Sequence, residues 1–165
     1  MSQDHVPSGS SPELQSAAEV TANQCFGCSV ENPQGLHLVF TFDTSDPAHP
    51  RVSAPVQLTR LHEGPPGYIH GGIIATLLDE AMGKLNVPLG LIAMTRNMEV
   101  DYLRPSPLFA PLTLVGTHLR REGTRKLFHQ AELISPEGLV LAHAKGFFLA
   151  IDPAMLGPAA RRMQQ

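Results

Sequence analysis

The 165-residue chain lacks the features of several large protein classes. It has no basic excess, because its formal net charge is -3, and this argues against a nucleic-acid binder whose affinity depends on neutralising phosphates. No apolar run approaches the roughly 18 residues that a membrane span needs. Residues 1–7 show neither a basic nor an apolar region, so we expect no secretory signal.

Cysteine is also scarce, with only Cys25 and Cys28 in a Cys-Phe-Gly-Cys step. Structural zinc usually takes four ligands, from two such pairs or from one pair and spaced histidines, and the nearest histidine, His37, lies in a strand pattern. A dithiol redox site would open a helix at its first cysteine, whereas residues 31–35 form a turn. We therefore predict no metal and no cofactor. Two cysteines without an export signal suit a reducing cytoplasm.

The composition that remains is that of a globular protein, with 42% apolar and 16% charged residues. Residues 1–21, rich in serine, proline and glycine, are expected to be a flexible lead-in. Residues 153–165 contain two prolines and no periodicity, so we expect a frayed tail. One domain over residues 22–152 is predicted between them.

A long helix, over about residues 70–86, is the element around which the chain is organised. Its apolar face repeats at three- and four-residue spacing and consists of Ile73, Ile74, Leu77, Leu78, Ala81 and Leu85. A second stripe is made of small residues around one carboxylate, namely Gly72, Ala75, Thr76, Asp79 and Gly83. We expect the apolar face to pack on the protein's own sheet. The small stripe is expected to face a partner subunit, with substrate between them.

About six strands are predicted from period-two alternation, and most are joined by hairpin turns. Their ranges are 36–43, 51–58, 93–103, 112–121, 126–134 and 139–151. Pro55 would place the second strand at an edge or a bulge. The sequence therefore predicts an antiparallel α+β domain whose sheet curls around the helix.

The start of the helix, at His70-Gly71-Gly72, offers unpaired backbone N–H groups and the positive end of the helix dipole. Such groups could form an oxyanion hole for acyl transfer, although a Gly-Gly step before a helix is also an ordinary loop. Asp79 would supply the base or nucleophile, since no Gly-x-Ser-x-Gly serine competes for that role. The adjacent Glu80 is expected to be a solvated carboxylate.

Residues 68–83 resemble the signature of hotdog-fold acyl-CoA thioesterases of the phenylacetyl-CoA thioesterase (PaaI-type) group. Residues 25–28 with 32–36, and residues 94–97 with 102–105, extend the resemblance over residues 25–151. The resemblance implies hydrolysis of an acyl-CoA thioester by a homodimer with shared active sites, or by a tetramer. It assigns the family's catalytic positions to Asp79, Gly71, His70 and Thr95. It places Gly72 and Asn97 with the bound substrate and makes the cysteines part of a packed turn.

Two features leave alternatives open. Many members of the group carry an asparagine where this chain has Gly64, and its loss favours a second hypothesis, a hotdog module that binds acyl-CoA without hydrolysing it. Four of the twelve basic residues lie in one hairpin at Arg120, Arg121, Arg125 and Lys126. They would bind the phosphates of CoA or form a solvated turn. The acyl group, the covalent or general-base route and the oligomeric state stay open.

Overall fold

The structure, a computed structural model, describes residues 24–152 and residue 154. The predicted lead-in over residues 1–21 and nearly all of the tail lie outside these residues. The described elements comprise one α-helix, a short 3-10 turn at Arg60–His62 and six strands. They are β1 (Thr41–Asp43), β2 (Arg51–Val56), α1 (Gly71–Lys84), β3 (Ala93–Tyr102), β4 (Leu112–Glu122), β5 (Lys126–Ile134) and β6 (Val140–Ala150).

The six strands form one antiparallel sheet in the order β1-β2-β4-β5-β6-β3. This confirms the predicted α+β architecture of a curled sheet and a single long helix. The helix α1 connects β2, near one edge, to β3, which forms the other edge, so it must cross the face of the sheet. Among the described residues, no helix has both the length and the apolar character needed to cross a bilayer.

The apolar face of α1 is buried against the sheet, as predicted. Its fully or nearly fully buried residues are Ile74, Leu77, Leu78, Ala81 and Met82. Two sheet glycines allow close contact: a Cβ at Gly116 would lie 2.8 Å from the Ala81 carbonyl oxygen, and one at Gly146 would lie 2.8 Å from the Met82 sulfur. Any larger side chain at Gly116 would push a backbone atom, so the small residues set the distance between helix and sheet.

The first predicted strand is wrong over residues 36–40, because β1 contains only residues 41–43. The amides of Leu36 and Leu38 donate to the carbonyls of Phe26 and Gly27 at 2.7 and 3.0 Å, and His37 adopts a left-handed φ of 51°. The backbone of residues 36–38 thus hydrogen-bonds to residues 25–31, here called the cysteine turn, instead of to a neighbouring strand. The alternation that suggested a strand is still present, since Leu38 is buried and His37 is exposed.

The position of Pro55 agrees with the prediction of a sheet edge. The pairing of β1 with β2 ends at Ser53, so within the described residues Pro55 has a strand neighbour on one side alone, Thr113 of β4. A proline has no amide hydrogen to donate, and the missing donor is tolerated where no second strand needs it.

Candidate active site

The start of α1 is capped by the side chain of His70. Its Nδ1 accepts a hydrogen bond from the Gly72 amide at 3.0 Å. The expectation that the Gly72 amide is unpaired is therefore wrong, because this N–H is already used by the cap. In the neutral imidazole an accepting Nδ1 requires the proton on Nε2, so His70 has one N–H left to offer.

The Gly71 amide has no acceptor among residues 24–152, in contrast to the Gly72 amide. It is a half-exposed donor in the first turn of α1, where the helix dipole favours negative charge. The carbonyl of Gly71 accepts from the Tyr102 hydroxyl at 3.1 Å. Tyr102, on β3, thereby holds the Gly71–Gly72 peptide, which is next to the peptide that carries the candidate oxyanion donor. No role for Tyr102 was predicted from the sequence, although the motif at residues 102–105 was the signal available.

Asp79 lies half-buried on the small-residue stripe and accepts a hydrogen bond from the Thr95 hydroxyl at 2.8 Å. Burial raises the pKa of the Asp79 carboxyl, the Thr95 hydrogen bond lowers it, and the negative charge of Glu80 raises it further. A raised pKa makes the carboxylate a better proton acceptor near neutral pH. The structure therefore brings together the two side chains that the sequence placed in the catalytic group.

A β-bulge separates Thr95 from Asn97. Thr95 pairs with the buried Phe148 of β6, whereas Asn97 pairs with the half-exposed Phe147. Directly paired residues share a face of the sheet, so Thr95 lies on the helix face and Asn97 on the opposite face. Within one chain, the bulge aims Thr95 at Asp79 and leaves Asn97 away from it.

The loop before α1 explains why this chain has glycine at position 64. A Cβ on Gly64 would lie 2.9 Å from His70 Cα and 3.3 Å from His70 N. The His70 amide itself donates to the His62 carbonyl at 2.9 Å. The loop thus packs its backbone directly against the histidine, and an asparagine side chain does not fit there without moving one of them.

Glu80 is not the solvated carboxylate that the sequence suggested. Its side chain is only 20% exposed, and one of its oxygens lies 3.4 Å from Lys84 Nζ. The cysteine turn covers it, since Cys25 Sγ lies 3.8 Å from both carboxylate oxygens and a Cβ on Gly27 would lie 2.5 Å from the carboxylate. Burial raises the pKa of the neighbouring Cys28 thiol to about 12. Sequence reasoning missed these contacts because the turn lies 55 residues away from Glu80.

The basic hairpin between β4 and β5 is exposed but largely ordered by its own contacts. The Arg120 guanidinium lies 3.9 Å from the centroid of the Phe128 ring, and its Nε donates to Glu122 at 3.1 Å. Arg125 Nε donates to the Ala150 carbonyl at 2.9 Å. Lys126 makes no side-chain hydrogen bond or ion pair with the described part of the chain, so its ammonium is available to a ligand.

Sheet register relates this hairpin to Asp79. Lys126 pairs with Leu149 of β6, which pairs with Met94 of β3, next to Thr95. Two strand spacings of about 4.8 Å each put the Lys126 backbone roughly 10 Å from that of Met94. The basic hairpin and the Asp79–Thr95 pair therefore lie at the same end of the sheet.

Comparison with known proteins shows what this chain is similar to. Residues 66–142 match the profile of the thioesterase superfamily, a range that contains Gly71, Asp79 and Thr95. The acyl-coenzyme A thioesterase THEM4 of Mus musculus is 35% identical over 92 residues, which are 55% of this chain and 39% of that relative. The chain thus spans about two fifths of the length of this curated relative.

Solved structures show the same fold. A crystal structure of a thioesterase superfamily protein aligns with a TM-score of 0.66 and 34% identity, over 72% of this chain and 56% of that one. The E. coli PaaI protein from the phenylacetic acid degradation operon aligns with a TM-score of 0.59 and 21% identity. That alignment covers 68% of this chain and 80% of PaaI, and at this identity it establishes the shared fold alone.

Proposed function

We propose that this chain, whose residues 66–142 match the profile of the thioesterase superfamily, hydrolyses an acyl-CoA thioester to the free acid and CoA. The observation that carries the proposal is the half-buried Asp79 carboxylate, which is hydrogen-bonded to Thr95 and lies on the half-exposed stripe of α1. The first amide of this helix, that of Gly71, has no acceptor in the described chain. This arrangement supplies a proton acceptor and an oxyanion donor, the two groups that acyl transfer needs.

The thioester carbonyl oxygen accepts from the Gly71 amide, and the His70 Nε2–H lies beside it. Thr95 holds one Asp79 oxygen, which leaves the other oxygen to act. In the general-base route, that oxygen removes a proton from water while the water oxygen bonds to the carbonyl carbon. The C–S bond then breaks and CoA leaves as the thiol. In the covalent route, the same oxygen attacks the carbon directly, the C–S bond breaks to give a mixed anhydride and CoA, and water then releases the acid from the anhydride.

The active site is shared between two subunits. Gly71 and Asp79 are eight residues apart on one helix, so their backbones lie about 12 Å apart. The attacking atom must come within about 3.5 Å of a carbonyl carbon held at Gly71, and one short Asp side chain cannot cover that difference. Two copies of α1 running antiparallel across a two-fold axis would place the Asp79 of one chain beside the Gly71 of the other.

The edge strand β3 supports such a dimer. It has ten residues, pairs with no described strand other than β6, and shows the most exposed pattern of the four long strands. A long unpaired edge is a ready surface for a second strand. Pairing of β3 with the β3 of a second copy would bring the two α1 stripes together, where Asp79 lies among Ala75, Thr76 and Gly83. These small side chains allow a close approach.

The nucleotide part of CoA binds at the β4–β5 hairpin. Lys126 contributes an unpaired ammonium, and Arg125 and Arg120 contribute guanidinium groups that their own contacts hold in place. The roughly 10 Å between this hairpin and the Asp79–Thr95 end of β3 is short compared with an extended CoA molecule, so one substrate can contact both.

The experiment is a thiol-release assay with short, medium, long and aryl acyl-CoAs, with Asp79→Asn as the reference. The catalytic proposal expects turnover of at least one acyl class that Asp79→Asn abolishes. The alternative, a binding module, is favoured by the missing amide at Gly64. If the chain is a binding module, we expect tight acyl-CoA binding with no thiol release from any acyl class.

A further inference from the structure

Three side chains that the catalytic proposal does not use converge beneath the cysteine turn. The donor atoms of Cys25, Cys28 and Glu80 all lie within 4.8 Å of one another, and all three residues are half-buried. Cys25 Sγ lies 3.8 Å from each Glu80 oxygen. In a tetrahedral zinc site, with Zn–S of about 2.3 Å and Zn–O of about 2.1 Å, sulfur and oxygen ligands lie about 3.6 Å apart. The distance of 3.8 Å between Cys25 Sγ and the Glu80 oxygens is close to this value.

The donor atoms, two cysteine sulfurs and one carboxylate oxygen, are those that zinc prefers. Two cysteine sulfurs are soft ligands that favour zinc over magnesium or calcium, both of which prefer oxygen. A carboxylate oxygen is an accepted third zinc ligand. Three ligands from the chain leave one tetrahedral position for water.

Lys84 completes the charge balance of such a site. Its Nζ lies 2.9 Å from Cys28 Sγ and 3.4 Å from a Glu80 oxygen. Two thiolates and one carboxylate carry three negative charges, whereas one zinc ion and one ammonium carry three positive charges. Lys84 thus acts as an outer donor to a ligand sulfur, the kind of contact that orients metal ligands and tunes their affinity.

We propose, in place of the sequence-based prediction of no metal, that Cys25, Cys28 and Glu80 bind a zinc ion that fastens the cysteine turn to helix α1, with Lys84 as the outer hydrogen-bond donor. The ion joins two segments that are 55 residues apart in sequence. Binding to the folded state alone stabilises that state. The site contains neither Asp79 nor Gly71, so it is tested independently of hydrolysis.

The experiment uses the full chain, reduced and stripped of metal by a chelator, and titrated with Zn²⁺ or Co²⁺. We expect one equivalent bound per chain. Co²⁺ should give thiolate-to-metal absorption in the near ultraviolet and the visible bands of a tetrahedral ion, and Zn²⁺ should remove both. Saturating Zn²⁺ should raise the melting temperature by at least about 5 °C.

Variants identify the ligands. Cys28→Ser and Glu80→Gln should each weaken Zn²⁺ binding by at least about tenfold, since each removes a donor. Glu31→Gln, an exposed carboxylate of the same turn, is the matched control and should bind as the unmodified chain does. Asp79→Asn should also bind normally. Absence of the thiolate absorption in the unmodified chain, or equal affinity of Glu80→Gln and Glu31→Gln, would overturn the assignment. The first of these measurements uses the unmodified chain, so it does not depend on whether any variant folds.

Discussion

Asp79 and Glu80 are neighbouring carboxylates on α1, but they lie in two different regions of the molecule. Asp79 lies on a stripe of small, half-exposed residues and its partner in the described chain is a neutral hydroxyl, that of Thr95. Glu80 lies under the cysteine turn and is bonded to Lys84. One residue of helix rotates the side chain by about 100°, enough to move it from an open surface to an internal contact. We therefore expect loss of the charge to reduce turnover at Asp79 and to reduce stability at Glu80.

Asp79→Asn should keep the fold and lose at least about two orders of magnitude in turnover, because the amide cannot accept the proton. Steady-state kinetics with the best acyl-CoA measures this loss. Glu80→Gln should instead retain most of the turnover but lose about 1–2 kcal/mol of stability, since it breaks a charged contact that is only 20% exposed. Near-normal turnover in Asp79→Asn would remove Asp79 from the mechanism.

Subunit mixing tests whether the Asp79 region is completed by a second chain. Gly71→Pro removes the amide donor and is tolerable at the first helical position, where a Cβ would lie 3.6 Å from the Tyr102 ring. Equal mixing with Asp79→Asn subunits should yield half heterodimers, each with one intact site of two. Two inactive homodimers should thus recover up to roughly a quarter of the activity of the unmodified protein.

Exchange itself must be shown separately, for instance by native mass spectrometry of subunits that differ in mass. No recovery after demonstrated exchange would mean that one chain builds the whole site or that its parts are misassigned.

Much of this structure was predictable, and the main exceptions come from contacts with a turn that lies elsewhere in the sequence. Strands β4 to β6 agree with their predicted ranges within about two residues because alternating burial and hairpin turns are both visible in sequence. The predicted strand over residues 36–40 failed because its amides bond to the cysteine turn, a nonlocal contact. The cysteine turn also covers Glu80, and no pattern in residues 79–80 indicates this contact. By contrast, the cap that occupies the Gly72 amide is local and could have been foreseen from His70.

Thr95→Val should show how the hydroxyl tunes Asp79. Burial raises the pKa of Asp79 and the Thr95 hydrogen bond opposes that rise. Without the hydroxyl the pKa rises further, so the acid limb of the rate profile should move to higher pH. We also expect a loss of about tenfold in kcat/KM as the carboxylate loses its orientation. Thr113→Val, an exposed threonine of β4, is the control and should leave both unchanged. An unmoved acid limb would separate Thr95 from the titrating group.

The smallest effect should come from the β4–β5 hairpin. Lys126→Glu, alone or with Arg125→Glu, should raise KM several-fold for acyl-CoA and much less for a truncated acyl thioester that lacks the nucleotide. Binding energy from the non-reacting part of a substrate is lost selectively when its contacts are removed. The single variant is the cleaner one, because Arg125 also donates a hydrogen bond to the Ala150 carbonyl at the end of β6. Arg51→Glu reverses an exposed charge on β2 and should affect neither substrate. Equal KM changes for both substrates in Lys126→Glu would make the hairpin a solvated turn and confine substrate recognition to the region around Asp79.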